Sequence, residues 1–236
     1  MWTRFCATLG LFALFLATGA CVSLKRTPEA RFFVLQSEVE PRPPTAGEAV
    51  VGIVGVEKAR VPDHLARPQI VTWTSSNELQ IDEFLRWAEP LDAGFTRTLA
   101  ENIAGLLPDH QVVLRPWPGD TATRCRVLVS LSAFGLQPDG MVRLEGRWAL
   151  LPDRGGLALV QAPVSLQRGP VASAGPGDTP TTGVDLMSEL VADLSRQIAD
   201  AILALPAEEP PADAESEPEE ADESAARREP LAGVRG

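Results

Sequence analysis

The chain has 236 residues, 44% of them hydrophobic, which is enough for one globular core and rarely for two. Lys and Arg number 21 against 32 Asp and Glu, a formal charge of −11 that speaks against a nucleic-acid partner. Two His, three Cys and no Tyr argue against a multi-histidine metal site or a disulfide scaffold, and exclude a tyrosine acid or nucleophile.

The charge is unevenly placed. Residues 207–236 hold ten acids and three Arg, a net of −7, whereas residues 1–20 hold only Arg4. Residues 21–206 are left with −5, ordinary for a globular domain.

At the N-terminus, Arg4 is a short positive n-region and residues 5–20 carry no charge. The apolar run of residues 5–17 has the length of a signal-peptide h-region and is too short to span a bilayer as a helix. It closes on Thr18-Gly19-Ala20 followed by Cys21, an order that resembles a bacterial lipobox. Small residues fit the peptidase, which cuts between Ala20 and Cys21, and the thiol takes the diacylglycerol. Thr18 departs from the pattern, in which Leu is usual at that place. One acyl chain alone binds a membrane marginally, at about 0.8 kcal/mol per buried CH₂, so the two or three chains of a lipoprotein hold permanently. Val22 rather than Asp follows the Cys, which favours the outer membrane, periplasmic face. The expected division is a signal peptide at 1–20, a lipidated tether at 21–30, a domain at 31–206 and a disordered acidic tail at 207–236.

Residues 32–35 and 50–56 read as strands separated by the prolines at 41, 43 and 44. Residues 70–74 and 78–81 read as a hairpin about Ser75-Ser76-Asn77. Pro90 suits the first turn of a helix, in which Leu91, Phe95, Leu99, Asn102, Ile103 and Leu106 fall on one face before Pro108. Residues 112–114 form a short strand. Strict alternation in residues 124–133 and 142–150, joined by Pro138-Asp139-Gly140, makes an antiparallel hairpin with one buried face. After the turn at residues 153–156, two further strands are expected at 157–160 and 164–166. A Pro/Gly-rich loop at 169–180 leads to a last helix, with Thr182 and Asp185 spaced as a capping box. Met187, Leu190, Val191, Leu194, Ile198, Ala201, Ile202 and Leu205 share its apolar face until Pro206. The expected fold is α/β (α+β): a mainly antiparallel sheet covered on one face by two amphipathic helices. Residues 207–236 have almost no apolar side chains and cannot offset the entropy of ordering.

Catalytic patterns are missing: the sequence has no G-x-S-x-G, H-E-x-x-H, C-x-x-C or P-loop string. His64 and His110 fall in polar loop sequence and read as surface residues, while Cys125 reads as a buried, inert thiol on a strand's apolar face. Asp82 and Glu83 are adjacent on a strand and point to opposite faces, so they are solvated charges rather than a dyad. The acidic tail lacks the ligand spacing of a specific cation site. No catalytic residue, cofactor or metal is expected.

Three strings stand out: Arg67-Pro68-Gln69-Ile70-Val71, Asn77-Glu78-Leu79-Gln80 and Arg86-Trp87-Ala88-Glu89-Pro90-Leu91. With the Arg147-Trp148 strand and the helix over 187–205, they resemble the PqiC family across most of residues 31–205. These are auxiliary lipoproteins of ABC-type lipid transporters that work with MCE-domain proteins. The resemblance implies a non-enzymatic periplasmic component, anchored in the outer membrane, that docks the far end of an MCE tunnel and helps lipids cross between membranes. It implies an MCE-domain protein and an inner-membrane ABC and permease system as partners, and by analogy a homo-oligomeric ring. Arg67, Arg86 and Trp87 are the candidate partner contacts; Trp87 and Glu89 also suit a purely structural strand-to-helix junction. Two other readings stay open: a lipoprotein that assists assembly of another envelope machine, and a periplasmic hydrolase, for which no residues supply the chemistry.

Overall fold

The computed structural model describes residues 28–44, 50–118, 121–171 and 179–206. Eight strands and two helices follow in the order β1 (Arg31–Phe33), β2 (Gly52–Val56), β3 (Gln69–Ser75), β4 (Glu78–Trp87), α1 (Leu91–Leu106), β5 (His110–Leu114), β6 (Cys125–Leu136), β7 (Val142–Leu151), β8 (Val160–Arg168) and α2 (Thr179–Leu203). The expected signal peptide, Cys21, most of the tether and the acidic tail lie outside the described residues. Among the described residues, no helix is long and apolar enough to cross a membrane.

The α+β class holds, with the strands divided between two mixed sheets rather than one. A three-stranded sheet runs β1-β4-β3 and a five-stranded sheet runs β5-β2-β6-β7-β8. The antiparallel pairs are the hairpins β3–β4, β6–β7 and β7–β8, where short turns suffice. The parallel pairs β1–β4, β2–β5 and β2–β6 join segments distant in sequence, which local patterning does not reveal.

The alternation of β6 and β7 is realised as read. Cys125, Val127, Val129 and Leu131 face Val142, Leu144, Trp148 and Leu150 in the same buried layer, against α2. The helical faces also match: Leu91, Phe95, Leu99, Asn102, Ile103 and Leu106 of α1 are buried, as are Met187, Leu190, Val191, Leu194, Ile198 and Ile202 of α2. Each such aliphatic side chain contributes about 1.5–3 kcal/mol when withdrawn from water. Phe95 of α1 meets Phe134 of β6 edge to face, with ring centroids 5.5 Å apart, which fixes the helix over the sheet.

Several boundaries move for physical reasons. In place of two strands at 157–160 and 164–166 there is one, β8, which starts only at Val160 because the turn is longer than expected: Gly155 and Gly156 both take positive φ, and Leu157 is 92% exposed. Pro163 lies within β8, tolerated because β8 is an edge strand. α2 begins at Thr179, so Thr182 and Asp185 are helical residues and not a capping box; Pro180 occupies the first turn instead. β4 continues to Trp87 because β1 pairs beside its second half.

A convergent cleft beside the β4–α1 junction

The candidate site is built where β4 hands over to α1. The Trp87 amide donates to the Pro68 carbonyl at 2.7 Å, and the Ala88 amide donates to the Phe33 carbonyl at 2.9 Å. These two bonds draw the Arg67-Pro68 segment and β1 against the end of β4. Pro90 is the residue at the helix N-cap, and its carbonyl accepts the Ala93 and Gly94 amides at 2.9 Å each.

The result is an open cleft of about 380 Å³, with Arg67 and Pro68 on one side and residues 87–92 on the other. Trp87 is 7% exposed and packs into the core beneath it. Arg67 is half-buried; its Nε is shielded from water, with no hydrogen-bond partner among the described residues. The acids around the cleft are already engaged. Glu89 accepts Arg97 Nη2 at 2.8 Å, and Asp92 pairs with Lys58 at 2.6 Å. Arg97 donates also to Glu101 and to the Leu35 carbonyl, tying α1 to the segment after β1. The Glu89 hydrogen bond, foremost, raises the Arg97 pKa. Arg67 is therefore the cleft's unpaired cation.

The three candidate contacts are not all brought together. Arg67 and Trp87 line the cleft, whereas Arg86, one residue earlier on β4, does not. Arg86 donates instead to the Glu83 carbonyl at 3.0 Å and lies 3.4 Å from its carboxylate. Asp82 and Glu83 diverge as the strand geometry requires: Asp82 accepts the Phe84 amide, and Glu83 turns to Gln69 and Arg86.

The two histidines are half-buried rather than on the surface. His64 meets Trp73 edge to face at 5.7 Å. His110 opens β5 rather than sitting in a loop, and its imidazole pKa is lowered by burial and then by Arg124. Cys125 is fully buried, and loss of solvation pushes its thiol up to about 11. Among the described residues no group of three or more His, Cys, Asp or Glu is placed to hold a metal ion. A second, more apolar cleft of about 210 Å³ went unseen in the sequence; Ile70, Leu85, Val184 and Met187 line it, and it exists only because α2 packs beside the three-stranded sheet.

The family profile of the ABC-type transport auxiliary lipoprotein component matches residues 33–199, well over half of the chain and the whole of both sheets except the first two residues of β1. The chain belongs to this family. Auxiliary lipoproteins of this kind are transport components, not enzymes. The intermembrane transport lipoprotein PqiC of Escherichia coli (strain K12) is 33% identical over 98 residues, and the same figures hold for PqiC of Shigella flexneri. That match covers 42% of this chain and 51% of the relative, so the chain spans about half the length of the curated relatives it matches. A crystal structure of an uncharacterized protein, 24% identical, superposes with a TM-score of 0.58 over 74% of this chain and 99% of the other. A Xanthomonas campestris protein, 15% identical, gives 0.59 over 72% and 95%. Both show a shared fold.

Proposed function

We propose that this auxiliary lipoprotein is anchored to the periplasmic face of the outer membrane and docks an MCE-domain protein of an ABC-type intermembrane lipid transport system, supporting envelope integrity. Residues 1–20 are removed as a signal peptide, Cys21 is acylated, residues 21–30 tether the domain of residues 31–206, and the acidic tail follows. At about 3.3 Å per residue the nine residues after Cys21 reach at most about 30 Å, so the domain works close to the membrane.

The observation that supports docking is the cleft. Arg67-Pro68 and Trp87 to Leu91, from two separate strings of the family resemblance, meet across it, and the unpaired Arg67 shares the cleft lining with the buried Trp87. Arg and Trp are the side chains that dominate interface energies. Arg67 and Trp87 in the cleft, and Arg86 beside it on β4, are the proposed partner contacts. A ring of several copies presents several such clefts to one tunnel end.

The test is affinity capture of the acylated chain from membranes of its own cells, after labelling with a fatty-acid probe. Label on the wild type but not on Cys21→Ala, together with co-capture of an MCE-domain protein, is the expected result. Equal labelling of both, or capture without any MCE-domain protein under conditions that retain the folded domain, overturns the reading.

A further inference from the structure

We propose that the helix-free face of the five-stranded sheet is the docking surface for the chain's own acidic C-terminal segment, residues 207–236. Both helices lie on the other side of the sheet, where the alternating residues of β6 and β7 are buried. Leu128, Ser130, Arg147, Ala149, Gln161 and Pro163 line a shallow depression of about 300 Å³ on the outward face. Arg147 is exposed there and makes no hydrogen bond or ion pair with the described residues.

At the end of this face where β6 begins, Arg115, Arg126 and Arg154 surround a polar cleft of about 170 Å³. Two carboxylates answer them. Glu57 is shared by Arg126 at 3.0 Å and Arg115 at 3.5 Å, and Asp153 is held by the Thr123 amide and hydroxyl at 3.0 and 2.8 Å. Arg154 is 94% exposed and only 3.7 Å from Asp153 at its nearest. With Arg147, four guanidiniums face two carboxylates on this half of the sheet. Further along, Arg143, Asp139 and Glu145 line a cleft of about 410 Å³ beside the β3–β4 hairpin, and one cation against two acids leaves that end without positive charge.

The point of departure selects the occupant. Arg124 Nη2 donates to the carbonyls of Leu205 and Pro206 at 3.0 and 3.3 Å, which pins the end of the domain to the start of β6, two residues from Arg126. Glu208 and Glu209 follow at once, opening a segment of net charge −7. They lie within about 10 Å of contour from Pro206. A segment tethered this closely meets the face at a local concentration on the order of millimolar, enough for individually weak exposed ion pairs to act together.

The test uses residues 22–236, which retain Cys125 as the native cysteine, with a nitroxide placed through Ala225→Cys and broadening of backbone amides read by NMR. In about 20 mM salt, the amides of Ser130, Arg147 and Gln161 should lose at least about half their intensity while those of α1 keep theirs. About 0.5 M salt, where screening is complete within roughly 4 Å, should restore the lost signals. The double variant Arg147→Glu with Arg154→Glu should restore them in low salt. Equal broadening on both sides of the domain, or broadening that neither salt nor charge reversal removes, overturns the proposal. Broadening that appears when labelled, isotope-free chain is mixed with unlabelled ¹⁵N chain places the contact between two copies and overturns it as well.

Discussion

Phe33 and Trp87 stand opposite one another in the parallel pair of β1 and β4, and both are buried in the core. The pairing ties β1 to the floor of the cleft. Trp87 is thus a structural support for the cleft before any part it has in the proposed docking. Trp87→Ala should cost about 3–5 kcal/mol of unfolding free energy in a urea titration, the usual range for truncating a buried aromatic. A loss below about 1 kcal/mol would show that the side chain does not pack as described.

Gly146 carries a close approach that no other residue permits. β6 shifts register between Leu131 and Ala133, and the Ser130 carbonyl passes over β7 so that a Cβ on Gly146 would lie 2.3 Å from it. Both groups are backbone, so neither moves cheaply. Gly146→Ala should destabilise by at least about 2 kcal/mol or leave the chain insoluble, whereas Gly183→Ala, with open space around the added methyl, should be tolerated. Equal melting temperatures for the two variants would contradict the bulge geometry.

Cys125 should be inert in the native state. Its thiol is fully buried, and its pKa of about 11 leaves almost no thiolate at neutral pH. In residues 22–236, a thiol reagent at about pH 8 should react at a rate that follows unfolding and rises in denaturant. Immediate stoichiometric labelling of the folded chain would rule out the burial.

The Asp153 carboxyl gives a signed pH dependence. The Thr123 amide, then its hydroxyl, hold it below its ordinary value of 3.8, so it is more acidic folded than unfolded. Its stabilising effect is complete above that value and fades as pH falls through the lower folded value. Asp153→Asn should therefore unfold at a lower urea concentration than wild type at about pH 6, with the gap closing towards about pH 2. A gap that does not change with pH would mean that the carboxylate charge plays no part.

The legible parts of the fold are those whose physics is local. Helical periodicity marked Phe95 and Ile103 as core, and strand alternation marked Val127, Val129 and Leu144, because burial of one face imprints its period directly on the sequence. What escaped was non-local. The β1–β4 and β2–β6 pairings join segments about 50 and 70 residues apart, and nothing within Phe32 or Val54 names its partner strand. The positive-φ pair Gly155-Gly156 lengthened a turn that reads as shorter, and the length of β4 depended on β1 arriving beside it. The site was half legible. Arg67 and Trp87 were singled out from separate strings, and the Trp87 amide bond to the Pro68 carbonyl is what makes them neighbours. Arg86 shares the string of Trp87, yet strand alternation sends it elsewhere. The half-buried state of His64 follows from its contact with Trp73, which sequence spacing does not encode.

The proposed docking role is tested most directly by the affinity of the purified chain for the proposed MCE-domain partner, measured beside thermal unfolding for wild type, Arg67→Ala and Arg86→Ala. Arg67 is half-buried, unpaired and placed in the cleft, so its loss should leave the melting temperature within about 2 °C. Binding should weaken by roughly 30-fold, the equivalent of the 2 kcal/mol typical of an interface anchor, with a smaller loss for Arg86→Ala. Undiminished binding by both variants, with melting temperatures unchanged, would contradict docking through this cleft.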